Sequence, residues 1–339
     1  MTVFELTRRL IDIESITPNE SGLGSFLVEL LSPLAAKYGG RVERMPVEGE
    51  RFNVLATWGE PVVTLSTHQD TVPPFIASRE DDDWIWGRGA CDVKGLMACM
   101  IHAAEELLAE GRRDFALLFV VGEERDSAGA REAARQPRGS KYLINGEPTG
   151  NKLALGSKGS LRYTIAAHGK MAHSAYPELG ESAIEKLLDI LNDVRAVELP
   201  RDPVLGQSTM NIGLIRGGRA PNVIPDRAEA EIMIRLVDDA SGTKAAIDRA
   251  VADRADLRED FCVPALRLGA LDGFESCVVA FTTDIPSFAG AWGQPFLVGP
   301  GSIHVAHTTE ERVPKKELAE AVTIYKNMVK QLLARSRPA

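Results

Sequence analysis

Short apolar runs that each stop at a polar residue, with helical patterns between them, restrict the first half of this chain to one kind of sheet. VVTLSTH (62–68), FALLFVV (115–121) and YLIN (142–145) have strand length, and residues near 93–110 and 127–135 carry helical spacing between them. Strands alternating with helices imply parallel pairing with helices on both faces. The expected fold class is therefore α/β, with a mostly parallel, doubly wound catalytic domain. Upstream, residues 2–13 and 22–38 read as helices separated by SITPNESG, where Thr17 precedes Pro18 and is biased away from helical geometry. Segments 41–46 and 52–58 read as extended.

The pattern changes near residue 158. LRYTIAAHG alternates, a helix follows near 181–195, STMNIGLIRGG and RAEAEIMIRL read as paired strands, and a helix near 241–254 and a strand near 262–268 complete an α+β unit. We expect an inserted domain at 158–268 and a catalytic domain built from 1–157 and 269–339. Two domains also suit a chain of 339 residues, which exceeds the usual size of one core. The last helix, about 315–335, places Leu318, Val322, Tyr325, Val329 and Leu332 on one face, as a helix packed on the sheet requires.

A formal net charge of −9 with scattered acidic residues argues against nucleic acid, because a phosphate backbone needs a basic patch. No segment approaches the roughly 20 apolar residues of a membrane span, and the N-terminus lacks the apolar stretch of a signal peptide, so a cytoplasmic protein without a membrane partner is expected. Cys91, Cys99, Cys262 and Cys277 lack CxxC spacing and should be reduced. Any metal site must come from His and carboxylates.

Such residues cluster after the apolar runs and before helices: His68 and Asp70 in STHQDTVP, Asp92 in GRGACDVKG, Glu123 and Glu124 in GEER, Glu147 in NGEPTG, and His307 in GPGSIHVAH. In open α/β sheets the carboxyl edge of the strands is where ligands bind. Taken singly, each residue has a plain alternative; Asp92 could be a helix N-cap, and an EE pair is usually a solvated loop. Together the four motifs HxD, GxGxxDxKG, GEPTG and GPGxxxxAH are hard to ascribe to coincidence.

From ITPNESG to AHTTEE the set resembles the M20 metallopeptidases, particularly the acetylornithine deacetylase and succinyl-diaminopimelate desuccinylase branch. The resemblance implies two divalent ions, zinc first, with cobalt or manganese accepting the same donors. His68 and Glu147 would hold one ion, Glu124 and His307 the other, and Asp92 would bridge them, with the Asp92–Val93 peptide cis. Glu123 would be the general base. Asp70, two residues beyond His68 and so on the same side of the chain, would accept the other imidazole N–H. In the inserted domain, a lid that also mediates homodimerisation in the family, His173 of HSAYP would stabilise the oxyanion in the partner's site. Asn222 and Arg235 would bind the substrate carboxylate. His102 reads as a packing or surface residue and His168 as a local strand-end partner.

The expected reaction is removal of the acyl group from a small N-acyl amino acid, with acetylornithine-like substrates foremost. Desuccinylation, acetylcitrulline deacetylation, dipeptidase or carboxypeptidase action and release of lysine or ornithine from a carrier protein are alternatives within the family. A metal-binding protein that has lost turnover is the alternative outside it, disfavoured because every ligand and the base are present.

Overall fold

Alternate side chains of the strand Phe115–Val120 leave on opposite faces, and this divides the core in two. Phe115, Leu117 and Phe119 join one apolar cluster, while Ala116, Leu118 and Val120 join another. The same alternation sends Ile144 to the first cluster and Leu143 to the second. A sheet buried on both faces must have helices on both, and it does. On the first face pack helices α1 (Val3–Ile11), α2 (Ser21–Tyr38) and α3 (Gly95–Ala109) and the C-terminal helix Lys315–Arg335, through Leu6, Leu27, Leu107 and Tyr325 among others. Helix α4 (Ala128–Arg135), with Phe288 and Trp292, covers the second.

The computed structural model describes residues 1–336. The chain folds as two compact units, the first comprising Met1–Leu155, Leu268–Cys277 and the chain from Thr283 on, the second Gly156–Arg267 and Val278–Thr282. The main sheet of the first unit runs in the order Arg41–Glu48, Arg51–Trp58, Phe115–Val120, Val63–His68, Tyr142–Asn145, Gln294–Leu297. The last four strands are parallel; Arg51–Trp58 pairs antiparallel with both its neighbours. The expected α/β architecture is present, with one reversed strand in an otherwise parallel sheet.

Helix α1 starts on a reciprocal cap, the Glu5 N–H donating to Thr2 Oγ1 and the Thr2 N–H to Glu5 Oε2. Helix α2 ends at Gly39, whose φ of 69° is the left-handed geometry that closes a helix most cheaply with glycine. Just before α2, buried Glu20 receives Arg51 as a two-pronged ion pair, Nε at 2.9 Å and Nη2 at 2.7 Å.

The second unit has a four-stranded antiparallel sheet, Thr209–Gly217, Arg227–Leu236, Gly159–His168, Asp256–Val263 in that order. Its central strand Arg227–Leu236 buries every second residue, and Leu187, Ile190 and Ile247 from the helices Ala183–Arg195 and Ser241–Val251 join the same core.

In the two larger sheets, two strands differ from expectation. Gln294–Leu297 completes the main sheet, although QPFL is too short and too near Gly and Pro to stand out in sequence. The strand expected near 262–268 instead runs Asp256–Val263, because DLRED sits on a sheet edge where outward charges hide the alternation. All four cysteines are free, and among the described residues no helix is long and apolar enough to cross a membrane.

Trp292 is fully buried, and its indole N–H donates to the Ala133 carbonyl at 2.8 Å. Trp292→Ala should therefore destabilise the first unit by about 3–5 kcal/mol, through lost packing. Denaturant midpoints of the two proteins check this; a loss below about 1 kcal/mol would contradict the core role.

Candidate metal centre

Parallel strands in register finish together. His68 ends its strand opposite Val120, and Ser66 pairs with Asn145, so the loops that follow, carrying Asp70, Glu123, Glu124 and Glu147, leave from one edge. Asp92 comes from the turn ahead of α3, where its backbone (φ −128°, ψ 81°) is not helical and its peptide to Val93 is cis, as the resemblance implies. It does not cap α3, whose cap position is Lys94. His307 arrives from the C-terminal segment in left-handed geometry, φ 63°.

Asp92 stands between two imidazoles and gives one oxygen to each. Oδ1 lies 3.1 Å from His68 Nε2, and Oδ2 lies 3.2 Å from His307 Nε2. The same His307 nitrogen is 3.0 Å from Glu124 Oε1. One potential ligand atom each from His68, Asp92 and Glu124 fall within 4.8 Å of one another. Glu147 lies outside that group but is buried close enough for its charge to act on His68, and its Oε1 has no hydrogen-bond partner.

Asp70 departs from its expected role. His68 Nδ1 lies 3.0 Å from the Asp70 main-chain oxygen, whereas the nearer carboxylate oxygen is 3.6 Å away. The carboxylate instead accepts the N–H groups of Gly122 (2.9 Å), Glu123 (3.1 Å) and Glu124 (3.1 Å) and the Thr17 hydroxyl (2.7 Å). Successive N–H groups past a strand end form a concavity for an anion, and that competes for the carboxylate better than one imidazole does. Asp70 thus shapes the loop that carries Glu123 and Glu124.

The electrostatics describe a pocket with surplus negative charge. Burial, reinforced by neighbouring carboxylates, raises Glu123 and Glu147 well above the usual carboxylate range and also raises Glu124. Burial by itself would lower the His68 imidazole, but Asp70 and Asp92 outweigh it and hold its pKa well above the usual value. Asp92 and Glu124 push His307 up to about 10. Imidazole and carboxylate donors converging on an acid-rich pocket, with a buried Glu147 oxygen lacking any partner, fit divalent cations.

Two residues of this pocket escaped the sequence reading. Asp284, almost fully buried, lies close enough to raise Glu123 and Glu147, and burial lifts its own pKa to about 7. It sits in TTDIPSF, just after the apolar run CVVAF (277–281) and the short strand Ser276–Val279, a signal that could have marked it. Glu311, four residues after His307, accepts the backbone N–H groups of Gly89, Cys91 and Asp92. The only sequence signal is the TTEE that closes the last motif.

His173, Asn222 and Arg235 belong to the second unit. His173 pairs with Val223, and the Ser174 N–H donates to the Asn222 carbonyl at 3.1 Å, so the HSAYP and APNV segments lie together. The Ala175 N–H donates to His173 Nδ1 at 3.1 Å, which leaves Nε2 as the N–H of the neutral ring. Arg235 is opposite Ser160 and donates to its hydroxyl. Arg227, where the Asn222 segment joins the sheet, is opposite His168, eight residues and roughly 26 Å along the strand. Arg235 thus lies at the far end of that strand from the point where the Asn222 segment joins it. His168 pairs with Asp256 of the neighbouring edge strand (3.0 Å), and His102 with Glu105 one turn along its own helix (3.1 Å).

Residues 64–331 match the model of Peptidase family M20/M25/M40. A peptidase M20 domain-containing protein of Schizosaccharomyces pombe is 38% identical, over 96% of this chain and 84% of its own. A probable carboxypeptidase of Aspergillus terreus is 37% identical, over 95% and 84%. The fold is similar to that of a tripeptidase from Staphylococcus aureus, with TM-score 0.79, 97% of each chain covered and 20% identity.

Loading the centre should release protons. As a ligand His307 would have to be neutral, yet Asp92 and Glu124 hold its proton up to about pH 10, so below that pH an ion taken at His307 should displace it and affinity there should rise with pH. Calorimetry in buffers of different ionisation enthalpy measures the release; a binding heat independent of buffer would contradict it.

Proposed function

The chain belongs to peptidase family M20/M25/M40, metallohydrolases of amide bonds, and we propose that it uses two divalent ions, zinc first, to remove the acyl group from an N-acyl amino acid. One observation carries the two-ion reading: Asp92 presents a separate oxygen to His68 and to His307, as a carboxylate shared between two ions does. His68 and Glu147 would hold one ion and Glu124 and His307 the other. Zinc in such a site supplies a Lewis acid and a water whose pKa falls toward about 7.

The chain's own groups do the rest. Glu123, raised by burial and by Asp284, Asp92 and Glu124, suits a group that takes a proton from the nucleophile and passes it to the leaving amine. Asp70 fixes that loop through its backbone. His173, with its N–H at Nε2, is the proposed donor to the oxyanion, and Arg235 the proposed fork for the substrate carboxylate. The distance along the strand between Arg235 and the Asn222 segment favours their coming from two copies of the chain. A homodimer through the second unit is supported by its edge strand Thr209–Gly217, which carries exposed Leu214 and Ile215.

Carboxypeptidase action is the second reading, favoured by the description of the Aspergillus terreus relative. Both reactions cut the amide next to a residue with a free α-carboxylate, so the acyl side alone separates them. N-acetyl, N-succinyl and dipeptide substrates of one amino acid, compared by kcat/KM, decide between them.

Glu123→Gln should retain both ions and lose about 10²–10⁴ in kcat, because it removes a proton acceptor and no ligand. Near-normal turnover would reject the base. Mixed with inactive His173→Ala, it should regain activity in exchanged dimers, where one site in two is complete; exchange without recovery would exclude action between subunits. Arg235→Ala should raise KM for free acids far more than for their methyl esters. Equal penalties would remove Arg235 from the site.

A further inference from the structure

We propose that Glu311, held by Arg88, is a positioning residue that aims the Asp92 carboxylate by gripping the backbone on which it stands. The proposal rests on the reading of Asp92 as the shared ligand. Glu311 and Arg88 are 1% and 2% exposed. Oε2 accepts Arg88 Nη1 at 2.6 Å; Oε1 accepts the N–H groups of Gly89 (2.9 Å), Asp92 (3.2 Å) and Cys91 (3.3 Å). The Glu311 carbonyl in turn accepts the Gly87 N–H at 3.1 Å, so the whole turn Gly87–Asp92 is tied to this residue. With both carboxylate oxygens engaged, Glu311 supports the ligand turn and is not itself a ligand.

A second buried Arg–Glu pair of the first unit isolates what is special here. Glu20 gives both oxygens to the one guanidinium of Arg51, an arrangement that satisfies charge and nothing else. Glu311 gives Arg88 a single oxygen and spends the other on backbone donors. A buried ion pair is poor evidence for stability, since apolar replacements are often as stable, so the charge at Glu311 calls for another use. Asp70 shows the same device on a second loop, collecting the N–H groups of Gly122, Glu123 and Glu124. Each loop that carries ligands beyond His68 in the first half of the chain is thus oriented by a buried carboxylate acting on main-chain N–H groups, apart from the Glu147 loop. Because both Asp92 oxygens are in use, an error in its backbone misplaces both ion sites together.

Zinc stoichiometry and affinity, measured by chelator competition on wild type, Glu311→Gln and Glu20→Gln, test the proposal. Glu311→Gln keeps the volume but loses the charge and turns an N–H₂ group toward donors. It should weaken both ions in parallel, about 10–100-fold, as loss of a supporting group around metal ligands does. The cobalt-loaded variant should also show shifted visible bands. Glu20→Gln should lower stability with metal affinities unchanged. Wild-type affinities in Glu311→Gln, loss of one ion alone, or an equal loss in Glu20→Gln would each overturn the positioning role. If Glu311→Gln does not fold, Glu311→Asp keeps the charge and falls short of the turn by one methylene; unchanged affinity there would overturn it as well. A wild-type protein that binds fewer than two ions would instead defeat the two-ion reading, and this proposal with it.

Discussion

Much of the first unit's head exists to hold one carboxylate between two rings. Asp92 is buried, and a buried carboxylate without partners would not stay ionised. Its partners, His68 and His307, outweigh burial and keep its pKa well below the usual value. That requirement explains why the strand Val63–His68 stops where it does, why the turn before α3 leaves helical geometry, and why a residue from the far end of the chain must return to the sheet edge. The raised pKa values of Glu123, Glu124 and Glu147 belong to the same arrangement: burial lifts them, and the carboxylates gathered around them add to it.

The parallel core was legible because its signals are local. FALLFVV and YLIN announce buried strands by composition, and the helix Lys315–Arg335 by a stripe of apolar residues that needs no partner to be recognised. The candidate ligands stood out because they follow those runs in motifs with fixed spacing. Gln294–Leu297 was not, since four residues that follow Gly293 and include Pro295 carry too little periodicity; its place in the sheet comes from pairing with Tyr142–Asn145. Asp256–Val263 was misplaced because an edge strand may spend its outward positions on charge.

Asp70 and Glu311, one misread and one missed in sequence, share a different trait: their carboxylates act on backbone. Asp70 was seen, but its partner was taken to be the imidazole two residues away, when the N–H groups of a loop some fifty residues on compete for it better. Glu311 is invisible by spacing because the groups it serves lie more than two hundred residues earlier. A periodic pattern reports which face a residue occupies; it says nothing about main-chain donors that a distant turn brings to that face.

That distance has a consequence for how the centre comes into being. The contacts Asp92–His307, Glu124–His307 and Asp92–Glu311 all close loops of roughly two hundred residues, whose entropy is lost only once, when the last segment docks. During synthesis, His68, Asp92, Glu123, Glu124 and Glu147 emerge early and can gather on a nascent sheet. The strand Gln294–Leu297, His307 and Glu311 emerge near the end. The candidate donor set is thus completed only at the final stage of folding, and a truncated chain ending before the last strand would gather the acids without the His307 ring.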